Sequence, residues 1–192
     1  MSGSIVLDEC AEIFFIQNEN GRFGGQARIG NRFRDVSQST VFGLVHADTS
    51  FASGALQALC NAAASGTTVS GIVGINSNAE QVWGNQIAVE RSFACGAAAR
   101  LTGEVSTLDG CSIFFAKTSK VRFDENFDSF HCVVEDATLS AKHELGMNVF
   151  VPLTNADHPS LRDNPENWLN DYRKYHAQLT KKWSHISFLT TA

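Results

Sequence analysis

Charged residues are scarce in this sequence. Asp, Glu, Lys and Arg make up 18% of its 192 residues and the formal net charge is −5, whereas an average soluble protein has roughly 25% charged residues. A protein that binds nucleic acid usually presents a basic face, because released counterions supply much of its affinity. The densest group of cations, Arg173, Lys174, Lys181 and Lys182, shares its segment with Asp163, Glu166 and Asp171, which is typical of one solvated helix face. No nucleic-acid site is predicted.

The sequence also lacks the signals of secretion and of membrane insertion. Its cysteines number five, an odd count without a C-x-x-C pair, whereas a disulfide framework requires an even number in a short secreted chain. No basic segment followed by an apolar run begins the chain, and no stretch reaches the ~18 apolar residues of a membrane span. We therefore expect a cytoplasmic or virion protein that is not secreted by a signal peptide and has no membrane partner.

Proline is absent before Pro152. All three prolines fall in the last quarter of the chain, which predicts one domain over 1–192 in two parts. Residues 1–153 form a strand-rich body with one helix, and residues 154–192 form a C-terminal helical appendage.

The body is rich in Val, Ile, Phe and Thr, in runs of the length that strands prefer. Several runs are apolar on both faces, which indicates a sandwich or barrel core, or a face covered by a helix or a neighbour. The predicted fold class is therefore α+β, predominantly antiparallel β and sandwich- or barrel-like. The predicted strands cover 11–17, 25–33, 40–47, 67–75, 81–90, 111–117, 130–139 and 148–153.

Two helices are predicted. The internal helix covers about 50–65, with Asp48, Thr49 and Ser50 as capping residues and Gly66 after its end. The C-terminal helix covers about 165–183, because Asn164 is a suitable cap and proline favours the first helical position. Its apolar residues recur at helical spacing and are Trp168, Tyr172, Tyr175, Leu179 and Trp183.

Two segments could contact a neighbouring subunit. The aromatic stripe of the C-terminal helix packs either on the chain's own sheet or on another subunit, since Trp and Tyr are enriched at interfaces. Residues 123–130 combine three acids with Phe123, Phe127 and Phe130 but lack the ligand spacing of a calcium-binding EF-hand. We expect these phenylalanines to anchor a loop or to form an intersubunit contact.

The segment His143-Glu144-Leu145-Gly146 resembles the start of the zinc-protease motif H-E-x-x-H. That motif requires a second histidine four residues after the first, on the same helical face. Met147 stands at that position, and a strand-like run comes immediately after it. No metal site is predicted here.

His46 and Asp48 form an H-x-D pair, which supplies two of the three ligands of a non-haem iron triad. Residues i and i+2 of a strand end face the same side, and His131 is the third ligand that we considered. The alternative interpretation makes Asp48 a helix cap. Neither a nucleophile elbow nor a phosphate-binding loop is present, so no catalytic residue, metal or cofactor is assigned.

Without an intact catalytic motif, the composition favours a building block. We expect a self-assembling structural subunit of a large particle, such as a phage tail or capsid, with copies of itself and other particle subunits as partners. The alternative is a small enzyme or ligand-binding β-barrel. Its aromatic pocket would use His46, Asp48 and His131 as polar groups, and it could depend on a non-haem metal.

Overall fold

The computed structural model describes residues 25–84, 100–158 and 168–190. Four helices lie in these ranges: α1 Gln26–Val36, α2 Ala55–Ala63, α3 Val133–His143 and α4 Trp168–Lys182. The ten strands are β1 Val41–Val45, β2 Ser50–Phe51, β3 Thr68–Ser70, β4 Gly74–Ile75, β5 Gln81–Val82, β6 Gly103–Glu104, β7 Thr107–Leu108, β8 Ser112–Ala116, β9 Asn148–Val151 and β10 Ala156–Asp157. The α+β class with a C-terminal helix is therefore confirmed.

The main sheet has five strands in the order β1-β8-β3-β9-β6. The β3–β9 pair is parallel, while β1–β8, β3–β8 and β6–β9 are antiparallel. The strands do not close into a barrel within the described ranges, because β1 and β6 remain at opposite edges. The barrel alternative in the sequence prediction is therefore wrong for this part of the chain.

Helices cover both faces of strand β8. Ile113 and Phe115 belong to the larger apolar cluster, together with residues of α3 and α4. Phe114 points to the smaller cluster, which contains Leu59 and Ala63 of α2. All five residues of β8 are buried. This run is apolar on both faces because an apolar cluster packs against each side.

Two predicted strands are helices. Residues 25–33 lie largely in α1, whose buried positions 27, 30, 31 and 34 recur with a helical period. Residues 130–139 end inside α3, a helix that is buried on nearly every side and in which the apolar residues Val133, Ala137 and Ala141 recur every four residues. The Val and Thr content of this segment favoured a strand, but its periodicity and its charges favour a helix. Glu135 and Asp136 lie in the first turn and Lys142 and His143 in the last, which suits the helix dipole.

The internal helix begins later than predicted. Helix α2 starts at Ala55 after Gly54, which has a φ of 80°, a conformation that glycine adopts without strain. Asp48 is therefore not its cap. Ser50 instead belongs to β2, which pairs with β10.

Helix α4 packs against the chain's own core. Tyr175, Leu179 and Trp183 are buried in the larger apolar cluster, and Tyr175 Oη donates a 3.0 Å hydrogen bond to the backbone oxygen of Asp128. The predicted cap Asn164 and the predicted strand 11–17 lie outside the described residues. Among the described helices, none combines the length and apolar character needed to cross a membrane.

Two small antiparallel sheets complete the fold. Strands β2 and β10 form one, and β5, β4 and β7 form the other in that order. Along the chain, β10 leads directly to His158 and β7 leads directly to Asp109. The two small sheets therefore position these two side chains relative to the main sheet.

Candidate metal centre

The end of β1 and the start of β8 bring His46 beside Cys111. Val45 of β1 faces Ser112 of β8 in the antiparallel register, so the next pair along the ladder is His46 and Cys111. The backbone N–H of His46 donates a 2.9 Å hydrogen bond to the Cys111 oxygen. Residues 109–111 are therefore held directly next to the first residue of the H-x-D pair.

The β2–β10 sheet brings a second histidine to the same place. Ser50 faces Asp157 across this ladder, which places Asp48 beside His158. Nε2 of His158 lies 3.1 Å from Oδ1 of Asp48, and the ring centroids of His46 and His158 are 5.5 Å apart. Two histidines and one carboxylate therefore come together from segments more than a hundred residues apart in the sequence.

The ligand atoms of His46, Asp48 and His158 all lie within 4.8 Å of one another. Two imidazoles and a carboxylate are donors that first-row transition metals accept. Asp48 retains 30% side-chain exposure and His158 11%, so solvent reaches one side of the group. The H-x-D pattern thus marks a real convergence of side chains.

Burial and neighbouring charge control the protonation of His46. Burial lowers the pKa of its imidazole, and the neighbouring His158 lowers that pKa further, while Asp109 and Asp48 oppose both effects. The desolvated imidazole therefore favours the neutral form, which is the form that binds a metal.

Three buried polar atoms next to this group have no hydrogen-bond partner in the described part of the chain. They are Nε2 of His46, Oγ1 of Thr49 and Oδ1 of Asp157. Nearly all buried polar groups in proteins find a partner, and a bound ion or water is a usual explanation for the exceptions. Each of these residues is a member of the group or adjoins a member in sequence.

A second group shares one histidine with the first. The ligand atoms of Asp109, Cys111 and His158 also lie within 4.8 Å of one another. Counted as a whole residue, His158 is 9% exposed, and Cys111 is fully buried. The two groups together contain a thiol, two imidazoles and two carboxylates.

His131, the third ligand considered from the sequence, belongs to neither group among the described residues. It precedes α3 and does not lie on a strand, because 130–139 is not a strand. Its ring contacts Phe130 at 3.9 Å and Tyr172 at 5.8 Å between centroids. Phe130 also contacts His46 at 6.3 Å, so the structure brings His131 near the group without making it a member.

The H-E-x-x-H resemblance does not extend into the structure. Helix α3 ends at His143, with Glu144 as its C-cap, and Gly146 has a φ of 65°. Met147 therefore leaves the helix axis before it could share a face with His143.

The residues predicted to form subunit contacts divide into two sets. Phe130 is 49% exposed and Tyr172 is partly buried, whereas the side chain of Trp168 lies outside the described part. The others are buried in the chain's own core, so a neighbour could reach them only if the chain opened. They are Phe123, Phe127, Tyr175, Leu179 and Trp183.

Sequence reasoning missed His158, Asp109 and Cys111 as partners of the H-x-D pair. The spacing of His158 from His143 matches no metalloprotease motif, and sequence spacing has no bearing on the distance of His158 from His46 in space. Residues 109–111 lie at the start of the predicted strand 111–117, and no sequence motif marks them as functional. Only the strand pairing brings these three segments together.

No protein-family model matches the chain, and no curated protein matches it in sequence. The geometry of the site is therefore the basis of the proposed function.

Proposed function

We propose that this chain is a metalloprotein that binds a divalent transition-metal ion through His46, Asp48 and His158. The observation that carries the proposal is the convergence of these three ligand atoms within 4.8 Å. This proposal favours the sequence-based alternative, a small metal-dependent protein, over the structural subunit.

The surroundings of the three residues support metal binding. Nε2 of His158 and Oδ1 of Asp48 lie 3.1 Å apart, so these two side chains can form one hydrogen bond with each other. It leaves the buried Nε2 of His46 without a partner among the described residues. A positive ion between the three side chains satisfies that nitrogen and the carboxylate together.

Three protein ligands leave coordination positions for water or a small ligand, as in catalytic rather than structural metal sites. A bound divalent ion lowers the pKa of such a water and polarises a substrate oxygen. The contribution of the chain is to favour the neutral form of the His46 imidazole and to expose Asp48 on the solvent side.

The test is a metal titration of the chain after dialysis against a chelator. We expect isothermal titration calorimetry with Zn²⁺ to give saturable binding, and elemental analysis of the dialysed complex to recover the ion. His158→Ala removes a ligand and should weaken binding at least about tenfold, since even loss of a group behind a ligand costs 10–100-fold. His185→Ala is the matched control, because His185 is exposed on the segment after α4.

The outcomes separate clearly. A wild-type chain that retains no Zn²⁺ or Co²⁺ after dialysis refutes the proposal, as does a His158→Ala variant that binds as tightly as wild type. Equal loss in His158→Ala and His185→Ala would indicate non-specific binding by surface histidines.

Self-assembly stays a prediction. It rests on composition alone, and the described residues contribute only Phe130 as an exposed aromatic at the expected contact segments. Light scattering on the untagged chain measures the solution mass directly. A large discrete particle would support the structural subunit as a second role.

A further inference from the structure

Asp109 and Cys111 form a rigid turn beside the proposed centre. Oδ1 of Asp109 accepts a 2.9 Å hydrogen bond from the Cys111 backbone N–H, and the Asp109 backbone N–H donates a 2.9 Å bond to the Val73 oxygen. The Asp109 carboxylate is therefore held by the Cys111 backbone, and the backbones of both residues are held by hydrogen bonds to neighbouring segments.

This turn is joined to the first ligand group in two ways. His158 is a member of both groups, and the Cys111 carbonyl accepts the hydrogen bond from the His46 N–H. The two groups therefore lie side by side and meet at His158, although the five side chains do not form a single group within 4.8 Å.

We infer that Cys111 is a thiolate ligand of a metal ion held at His158, together with Asp109, and that this ion is therefore a borderline ion of the zinc class. The inference rests on the metal-binding function proposed above. Thiolate is a soft ligand that favours Zn²⁺ and Co²⁺, whereas an all-oxygen site favours Mg²⁺, Ca²⁺ or Mn²⁺. The iron(II) triad considered from the sequence contains no thiolate.

A buried cysteine is usually a small core residue, and Cys111 does lie in an apolar cluster with Leu59 and Phe114. Two features distinguish it from that ordinary role. Its sulfur lies within 4.8 Å of both a carboxylate oxygen and an imidazole nitrogen, and its own backbone N–H positions that carboxylate. Cys60, in the same cluster region, belongs to no ligand group among the described residues.

The experiment uses Co²⁺ as a spectroscopic substitute for zinc. Cobalt bound by the wild-type chain should give visible ligand-field bands and also the near-ultraviolet charge-transfer band of a cobalt–thiolate bond. Cys111→Ser should remove the charge-transfer band while the ligand-field bands remain, and should lower the preference for Zn²⁺ over Mn²⁺ at least about tenfold. Cys60→Ser is the matched control and should keep both sets of bands.

A second measurement covers the case in which Cys111→Ser does not fold, since Cys111 is fully buried. X-ray absorption on the zinc-loaded wild-type chain should give a sulfur shell at ~2.3 Å. That shell should persist in the Cys60→Ser and Cys132→Ser variants.

The inference and the proposed function fail in different ways. Ligand-field bands without a thiolate band, or a thiolate band that survives Cys111→Ser, overturn the inference and leave metal binding intact. A zinc-loaded chain without a sulfur shell does the same. Absence of both cobalt and zinc binding overturns the two together.

Discussion

The indole Nε1 of Trp183 donates a 2.8 Å hydrogen bond to Oδ1 of Asp136, and this contact joins helix α4 to helix α3 inside the core. Nζ of Lys182 lies 2.8 Å from Oδ1 and 2.9 Å from Oδ2 of the same carboxylate. Lys182 also pairs with Asp124 at 2.8 Å. The C-terminal helix is thus held by one buried carboxylate as well as by its apolar stripe.

Replacing Asp136 should separate these contributions. Asp136→Ala leaves the buried indole N–H without an acceptor, which costs about 1–3 kcal/mol, so we expect a loss of that size in the free energy of unfolding. Asp136→Asn keeps an acceptor oxygen and should lose less. Urea denaturation followed by tryptophan fluorescence measures both, with the exposed Lys181→Ala as control. Equal losses in the Ala and Asn variants would mean that the charge, not the hydrogen bond, holds the helix.

Glu135 should make the stability of the fold depend on pH. Burial and the nearby Asp109 raise the pKa of this fully buried carboxyl from 4.5 to about 8. Between these values the folded chain binds more protons than the unfolded chain, so stability falls as pH rises through this window. Glu135→Gln lacks this titration. Its advantage over wild type should therefore grow from pH 4.5 to about 8 and then level off.

The measurement is a series of urea unfolding curves across that pH range. Glu144→Gln is the matched control, because Glu144 is exposed at the end of the same helix. A difference in free energy of unfolding between wild type and Glu135→Gln that is the same at every pH would show that Glu135 titrates normally in the folded chain.

Zinc should stabilise the folded chain in proportion to its occupancy. At a free concentration a hundred times its dissociation constant, a ligand of the folded state alone adds about 2.7 kcal/mol to the free energy of unfolding. We expect this gain from Zn²⁺ in the wild-type chain, its loss in His46→Ala, and its reversal by EDTA. Magnesium at the same concentration is the comparison ion. A gain that survives His46→Ala would place the ion elsewhere.

Asn31 should anchor the segment that contains Phe123. Its side-chain Nδ2 donates to the Phe123 oxygen at 2.9 Å, and its Oδ1 accepts from the Phe123 N–H at 3.0 Å. Asn31→Ala leaves both buried backbone groups without their partner, at about 1–3 kcal/mol each when water cannot replace it. Thermal unfolding should reveal the loss, whereas the exposed neighbour Arg32→Ala should change little.

Asn31→Asp provides the second half of this test. It keeps the acceptor for the Phe123 N–H but replaces the donor with an oxygen facing the Phe123 carbonyl and the Glu125 carboxylate, which lies 3.1 Å from Nδ2. We expect this variant to be destabilised at neutral pH and to recover in acid. An Asn31→Asp variant as stable as wild type at neutral pH would contradict this role.

The sequence correctly predicted the strands that consist mostly of apolar residues and the helix whose apolar residues recur along one face. Strands β1, β8 and β9 and helix α4 fall where hydrophobic pattern and length agree. The segments 25–33 and 130–139 were wrong because residue preference was weighed above periodicity. In α3, Val133 and Val134 favour a strand, but the recurrence of apolar residues at 133, 137 and 141 favours the helix that forms.

The candidate site shows a different limit. His46 and Asp48 were identifiable because both lie in one short segment. His158 and Cys111 were not, because their proximity depends on pairings between β2 and β10 and between β1 and β8. Residues that are brought together by strand pairing have no characteristic spacing in the sequence, so no sequence motif reveals them.

The parallel pairing of Val69 with Val149 and the antiparallel pairing of Phe42 with Phe115 join parts of the chain that are distant in sequence. Such non-local contacts form late and slowly in folding. During synthesis, His46 and Asp48 leave the ribosome long before His158 exists. If the proposed metal site is correct, the nascent chain presents two of its three ligands until His158 is made, and we expect metal to bind after the sheet has formed.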